Sequence, residues 1–146
     1  MTQIIMTDRS ALPVFEEIEH TADWALRVRG RDLNDLLCNA ARGMTSLMVA
    51  DPASIPLTHQ EQIDMEAYDA ESLLVNWLSE LAYWAETESL VFGEFNLIQV
   101  AATHLQAVVR GGRVSALQKH IKAVTYHNLK IITTTQGLEV TIVFDV

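Results

Sequence analysis

The sequence predicts a single α+β domain in which two helices pack on a mainly antiparallel β-sheet. Two amphipathic stripes at helical spacing lie in the first half of the chain, and short strand-like runs fill the second half. No linker, repeat or low-complexity segment divides the 146 residues, which suffice to bury a core. We therefore expect one domain over residues 1–146, with residues 1–13 as a weakly patterned, partly frayed lead-in.

Each predicted helix begins after an aspartate and carries apolar residues on one face. Asp32 is placed to cap the first helix, and the pair Asp51 and Pro52 ends it. Its apolar positions are Leu33, Leu36, Leu37, Ala40, Met44, Leu47 and Met48. Asp69 is placed to cap the second helix. Its apolar stripe is Leu73, Leu74, Trp77, Leu78, Leu81 and Trp84. Both stripes indicate core packing rather than a cofactor site.

Extended segments are predicted on either side of the helices. Residues 14–29 are expected to be extended apart from a polar kink at residues 19–21, and residues 61–67 alternate like a half-buried strand. Further strands are predicted at residues 95–100, 104–110, 121–127, 130–135 and 138–144.

Two glycine-containing pairs are interpreted as turns between these strands. Gly111 with Gly112 and Gln136 with Gly137 have the composition of hairpin-type turns. Tyr126 and His127 are expected to pack within the sheet.

The charge balance restricts the class of partner. Ten basic and nineteen acidic residues give a formal net charge of −9. Nucleic-acid backbones are bound through clustered Lys and Arg, so direct nucleic-acid binding is not expected, and a basic protein partner or a metal ion fits better. The single cysteine, Cys38, suits a reducing compartment. With no signal peptide and no apolar run of about 20 residues, we expect a cytoplasmic protein without membrane association.

Common catalytic motifs are absent from the sequence. The five histidines have neither zinc-finger nor HExxH spacing, and there is no GxGxxG, Walker or GxSxG motif. Cys38 lies in an apolar helical stretch, where a small packing residue is the simpler interpretation than a reactive thiol. The protein is therefore not expected to be an enzyme with its own nucleophile.

The end of the chain is the most informative candidate site. The apolar run 138–144 is followed by Asp145 and Val146, which bring side-chain and main-chain oxygens together. Such hard oxygen ligands suit calcium or magnesium. Asp23, which precedes another predicted strand, would add a second carboxylate if it met Asp145, and the pair would then need a proton or a cation. An aspartate at a strand end is more often a solvated or turn-forming residue, and the residues alone leave both interpretations open.

Three blocks and the chain end together carry a resemblance to a known family. The blocks are His20-Thr21-Ala22-Asp23, residues 74–81 (LVNWLSEL) and residues 122–129 (KAVTYHNL), followed by Phe144-Asp145-Val146. In this order they resemble archease, the small protein that assists the GTP-dependent tRNA-splicing RNA ligase of the RtcB type. The resemblance covers residues 14–146.

The resemblance implies a function, a partner and a metal site. It implies a non-enzymatic activator that promotes guanylation of the ligase, supports its multiple turnover and broadens its nucleotide use. It also implies a divalent metal ion, Ca or Mg, held by Asp23, Asp145 and the backbone carbonyl of Val146. Lys122 and His20 are accessory candidates. Lys122 either adds positive charge near the carboxylates or is a solvated strand lysine. His20 either orients Asp23 or contacts phosphate, or else bonds only to the backbone of its turn.

The sequence departs from the family pattern before the third block. His120 stands where the family often has an acidic residue, and the loop at residues 111–118 is short. Partner fit is therefore expected to differ if this loop contacts the ligase. Two other classes of function stay open, namely a small metal-dependent phosphohydrolase and a general chaperone or interaction module.

Overall fold

Eight strands, two helices and one short 3-10 turn (Pro52–Ser54) are present in residues 12–18 and 23–146, the part of the chain that the computed structural model describes. The helices are α1 (Leu33–Met48) and α2 (Ala70–Glu88). The strands are β1 (Phe15–Ile18), β2 (Trp24–Gly30), β3 (His59–Glu66), β4 (Leu90–Ala101), β5 (His104–Arg113), β6 (Ala123–Val124), β7 (Ile132–Thr134) and β8 (Gly137–Asp145). The predicted α+β class is confirmed. Residues 1–11 of the predicted lead-in 1–13 and the kink at residues 19–21 lie outside the described residues.

The strands are divided between two antiparallel sheets. One sheet has the order β1-β2-β8, and the short strands β6 and β7 both pair with the remaining edge of β8. The other sheet has the order β3-β5-β4. Strand β2 pairs with β8 along its whole length, from Trp24 opposite Phe144 to Gly30 opposite Leu138. This central pair determines which residues meet at each end of the first sheet.

Both helices begin at the predicted caps. The Asp32 carboxylate accepts a 2.9 Å hydrogen bond from the Asp35 amide, and the Asp69 carboxylate accepts a 2.8 Å bond from the Ser72 amide. Helix α1 packs on β2 and on β4, so it connects the two sheets, and α2 packs on β4 and α1. The largest fully buried side chains include Trp77, Phe92, Phe144, Leu36, Leu37 and Met44. No helix in the described part of the chain is long and apolar enough to cross a membrane.

The turn predicted at Gly111 and Gly112 is wrong. Both glycines lie inside β5, where Gly111 is opposite Phe92 and Gly112 is opposite Val91. A Cβ at Gly112 would lie 2.6 Å from the Pro56 carbonyl oxygen, so the absence of a side chain admits a close crossing of the chain. The turn that joins β4 to β5 is at residues 102–103. The second predicted turn is confirmed, because residues 135–136 separate β7 from β8 and Gly137 has a φ of 133°.

The predicted strand at residues 121–127 is also mostly wrong. Only Ala123–Val124 pairs with β8, and the rest of the segment is irregular. Tyr126 does not pack within the sheet, since it is 57% exposed. Contacts with α2 flank the segment, because His120 bonds to Glu86 before it and the Ile131 amide bonds to the Glu71 carboxylate after it. Backbone bonds to β8 continue only to Lys122 and Thr125, so the pairing with β8 is shorter than the predicted strand.

Candidate functional site

Asp23 and Asp145 leave the same end of the central strand pair. The last rung of the β2–β8 ladder joins Trp24 to Phe144, and Asp23 precedes that rung while Asp145 follows it. In an antiparallel pair, the residue before one strand and the residue after its partner meet at the same end. On the other side of β8, Ala123 lies opposite Asp145. The two predicted metal ligands are therefore brought to one edge by the register of the sheet.

The carboxylates at this edge reach solvent and lack a basic partner within the described residues. Asp23 is half-buried, and Asp145 and Val146 are exposed. Neither aspartate takes part in any of the ion pairs formed among residues 12–18 and 23–146. Two neighbouring carboxylates that form no ion pair with an Arg or Lys suit a divalent cation, which would supply the compensating positive charge.

The donor set fits a hard, partly hydrated cation. Across the described ranges, no group of three His, Cys, Asp or Glu side chains is placed to hold a metal ion. The predicted site instead contains two carboxylates, from Asp23 and Asp145, and one main-chain carbonyl, from Val146. Calcium and magnesium accept such mixed oxygen sets and complete their shells with water, whereas zinc prefers His and Cys.

A hydrogen bond from a neighbouring segment holds the end of β8. The backbone amide of Lys122 donates to the Asp145 carbonyl oxygen at 2.7 Å. The Asp145 carbonyl is thus already engaged, and the next carbonyl, that of Val146, is the one predicted to face a metal. Lys122 itself is exposed, and its ammonium forms no ion pair with a carboxylate in the part of the chain that the structure describes. His20, the other accessory candidate, lies outside the described residues.

Sequence reasoning missed one basic residue at this edge. The Lys119 ammonium lies 3.8 Å from the centroid of the Trp24 ring, a cation–π contact next to Asp23. No local pattern could have indicated the contact, because Lys119 lies in an irregular segment far along the chain from Trp24. The only feature of the sequence that pointed to such a contact was the aromatic Trp24 directly after the candidate ligand Asp23.

A cleft lies at the opposite end of the β2–β8 pair. This cleft has a volume of about 580 Å³, and its lining includes Gly30, Arg31, Gln136 and Leu138. Arg29 also lines it, but its guanidinium already bonds to Glu139 at 3.0 Å and to Glu16 at 3.1 Å. Arg31 likewise lies 3.4 Å from the Asp35 carboxylate, so both arginines of the cleft are paired with acidic side chains. The cleft is remote from the acidic edge.

The remaining reactive side chain is consistent with a packing role. Cys38 lies on α1, and burial raises the pKa of its thiol, while Arg42 opposes that shift. A raised pKa reduces the thiolate fraction at neutral pH and hence the reactivity of the thiol. The interpretation of Cys38 as a small helix residue agrees with this environment.

The fold and the acidic edge together define a class of small α+β proteins with two antiparallel sheets, two helices and carboxylates at a strand end. The archease protein family model (MTH1598/TM1083) matches residues 15–146. The chain therefore belongs to the archease family.

Relatives and solved structures agree with this assignment. A protein archease from Saccharolobus islandicus is 34% identical over 137 residues, covering 90% of this chain and 98% of the relative. A protein archease from Methanosarcina acetivorans is 31% identical over 140 residues, covering 90% of this chain and 95% of the relative.

Two solved structures have the same fold. The solution structure of protein 1598 from Methanobacterium thermoautotrophicum matches with a TM-score of 0.74 and 25% identity, covering 91% of this chain and 99% of that chain. The crystal structure of an archease described as a possible chaperone, from Thermotoga maritima, matches with a TM-score of 0.67 and 22% identity, covering 90% and 96%.

Proposed function

We propose that this protein is a non-enzymatic activator of a GTP-dependent tRNA-splicing RNA ligase of the RtcB type. Membership of the archease family supports the proposal. The observation that carries it is the pair of carboxylates, Asp23 and Asp145, at one end of the β2–β8 ladder without a basic partner among the described residues. We call this edge, formed by Asp23, Asp145 and Val146, the acidic tip.

The acidic tip would act by presenting oxygen ligands to the ligase active site. Asp23, Asp145 and the Val146 carbonyl would hold a divalent ion, and the sheet register keeps the two aspartates together before any partner arrives. When bound, such an ion supplies positive charge that stabilises phosphoryl oxygens during nucleotidyl transfer. The contribution of this chain is the positioning of the ligands, while the nucleophile belongs to the ligase.

Charge and composition support a protein partner in the cytoplasm. The net charge of −9 opposes direct binding to the RNA backbone and favours a basic protein surface, such as that of an enzyme that binds RNA. A lone cysteine suits a reducing compartment. The protein would therefore reach RNA only through the ligase.

A guanylation assay of the purified cognate ligase tests the proposal. We expect this protein to increase ligase guanylation and turnover with Mg²⁺ or Ca²⁺ present. The increase should be lost when a chelator lowers free metal to a level at which the ligase alone still reacts. Hydrolysis of a nucleotide or phosphoester by this protein alone would instead favour a phosphohydrolase.

Metal-independent protection of unrelated unfolded proteins would favour a general chaperone. The description of the Thermotoga maritima relative as a possible chaperone makes this the second candidate worth testing. Aggregation of a denatured reference protein, followed with and without Ca²⁺, separates the chaperone from the ligase activator.

A further inference from the structure

One irregular segment, residues 118–122, connects the acidic tip to both helices. The Gln118 amide donates to the Met48 carbonyl oxygen at the end of α1, at 2.7 Å. His120 lies 2.8 Å from the Glu86 carboxylate on α2. Ile121 is buried, and the Lys122 amide donates to the Asp145 carbonyl oxygen. Because these contacts come from successive residues, the segment is held at several points and forms a rigid support beside the tip.

Within this support, Lys119 contacts the β2 side of the tip. Its ammonium lies 3.8 Å from the centroid of the Trp24 ring, and it forms no ion pair with any carboxylate in the described ranges. Trp24 is half-buried against the core and is the first residue of β2, directly after Asp23. Lys119 therefore contacts Trp24, the residue that follows Asp23, while the Lys122 amide bonds to Asp145, the residue that ends β8.

We propose that Lys119 is a positioning residue for Asp23 and acts through its cation–π contact with Trp24. Since residues 118–122 are anchored to both helices, holding Trp24 against this segment keeps Asp23 in register with Asp145. This inference rests on the proposed function, because it assigns to Lys119 the preorganisation of the same metal ligands.

A positioning role and simple charge repulsion predict opposite changes in calcium affinity when the Lys119 charge is removed. A lysine near a cation site repels the cation, so the removal of its charge should tighten metal binding. If Lys119 instead positions Asp23, the removal of its charge should weaken metal binding because the ligands lose their preorganisation. The sign of the change in calcium affinity therefore separates the two roles.

The experiment compares Lys119→Met, Lys119→Arg and the control Lys130→Met by calorimetric titration of the full-length protein with calcium chloride. Methionine keeps an apolar stem of similar length, and arginine keeps the cation–π contact. We expect Lys119→Met to weaken calcium binding about three- to tenfold, the range that a cation–π contact can supply. We expect Lys119→Arg and Lys130→Met to stay within about twofold of the unaltered protein.

Each result of the titration supports or overturns the inference. Unchanged or tighter calcium binding by Lys119→Met would overturn it and leave the metal site standing. Failure of the unaltered protein to bind calcium or magnesium would remove the metal site and, with it, the assigned role of Lys119.

Amide hydrogen exchange without metal provides a second, independent measurement. The positioning role predicts that Lys119→Met speeds exchange at Trp24 and Lys122, whose backbones border the tip, while Lys119→Arg and Lys130→Met do not. Equal exchange in all variants would show that the contact does not hold the tip, whatever the metal affinity.

Discussion

The indole N–H of Trp77 donates a 2.9 Å hydrogen bond to the Leu37 carbonyl oxygen, and this bond joins α2 to α1 inside the core. The Trp77 side chain is fully buried and also meets the Phe95 ring edge-on, with the ring centroids 6.1 Å apart. One residue thus connects both helices to the second sheet, and its polar atom is satisfied as a buried donor must be.

Trp77→Ala should destabilise the fold without acting on the acidic tip directly. We expect a loss of roughly 3–5 kcal/mol in the free energy of unfolding, as for other large-to-small core changes. Urea denaturation measures this loss. Tyr83→Ala, on an exposed face of the same helix, is the control and should change stability by less than about 0.5 kcal/mol. Normal stability with lost ligase activation in Trp77→Ala would place this residue at the partner surface instead.

Asp23→Ala or Asp145→Ala should abolish ligase activation and leave the fold largely intact. Each change removes one oxygen ligand from a solvent-reaching edge, so the melting temperature should stay close to that of the unaltered protein. Calcium titration measures the loss of metal binding, and the guanylation assay measures the loss of ligase activation. Glu66→Ala removes an exposed carboxylate from the other sheet and should retain both activities. Full activation by either aspartate variant at low metal concentration would exclude the acidic tip as the mechanism.

Gly111→Ala should destabilise the protein because the added methyl group would collide with the Val91 carbonyl oxygen of β4. Rigid backbone cannot move aside cheaply, and we expect a loss of about 1–3 kcal/mol, typical of overpacking. Gly93→Ala is the matched control, since its added Cβ would lie 3.3 Å from its nearest neighbour, the terminal Cδ1 atom of the Ile55 side chain, and would meet no backbone atom as closely. Thermal unfolding of the two variants compares them. Equal stability would mean that β4 and β5 do not approach as closely as described.

Acid should weaken the cap of α2. Hydrogen bonds from Ser72 lower the pKa of Asp69 below its ordinary value of 3.8. Because the pKa is lower in the folded state, this stabilisation is complete above the ordinary value and is lost as the pH falls through the folded value. Asp69→Asn keeps a capping oxygen but cannot titrate. As the pH is lowered from 6, the melting temperature of Asp69→Asn should therefore fall less steeply than that of the unaltered protein. The difference is the contribution of Asp69 titration. Parallel pH profiles would contradict the assignment.

The helices and their caps could be predicted from the sequence because their determinants are local. Asp32 and Asp69 lie within three residues of the amides that they cap, and the apolar stripes repeat at the period of the helix. The turn before Gly137 is local in the same way. Local rules failed at Gly111, where a glycine pair typical of a turn serves a close crossing between strands.

The candidate site was predicted partly from the sequence and partly only from the tertiary structure. The sequence by itself supplied the predicted oxygen ligands, since Asp23, Asp145 and Val146 could be named from their residue types and from the family resemblance. Only the tertiary structure decided that Asp23 and Asp145 share one end of a strand pair, and that Lys119 lies on Trp24. Such contacts join residues far apart in the chain, so they depend on the register of the sheet and on how the irregular segment packs. No short window of sequence contains both partners of these contacts.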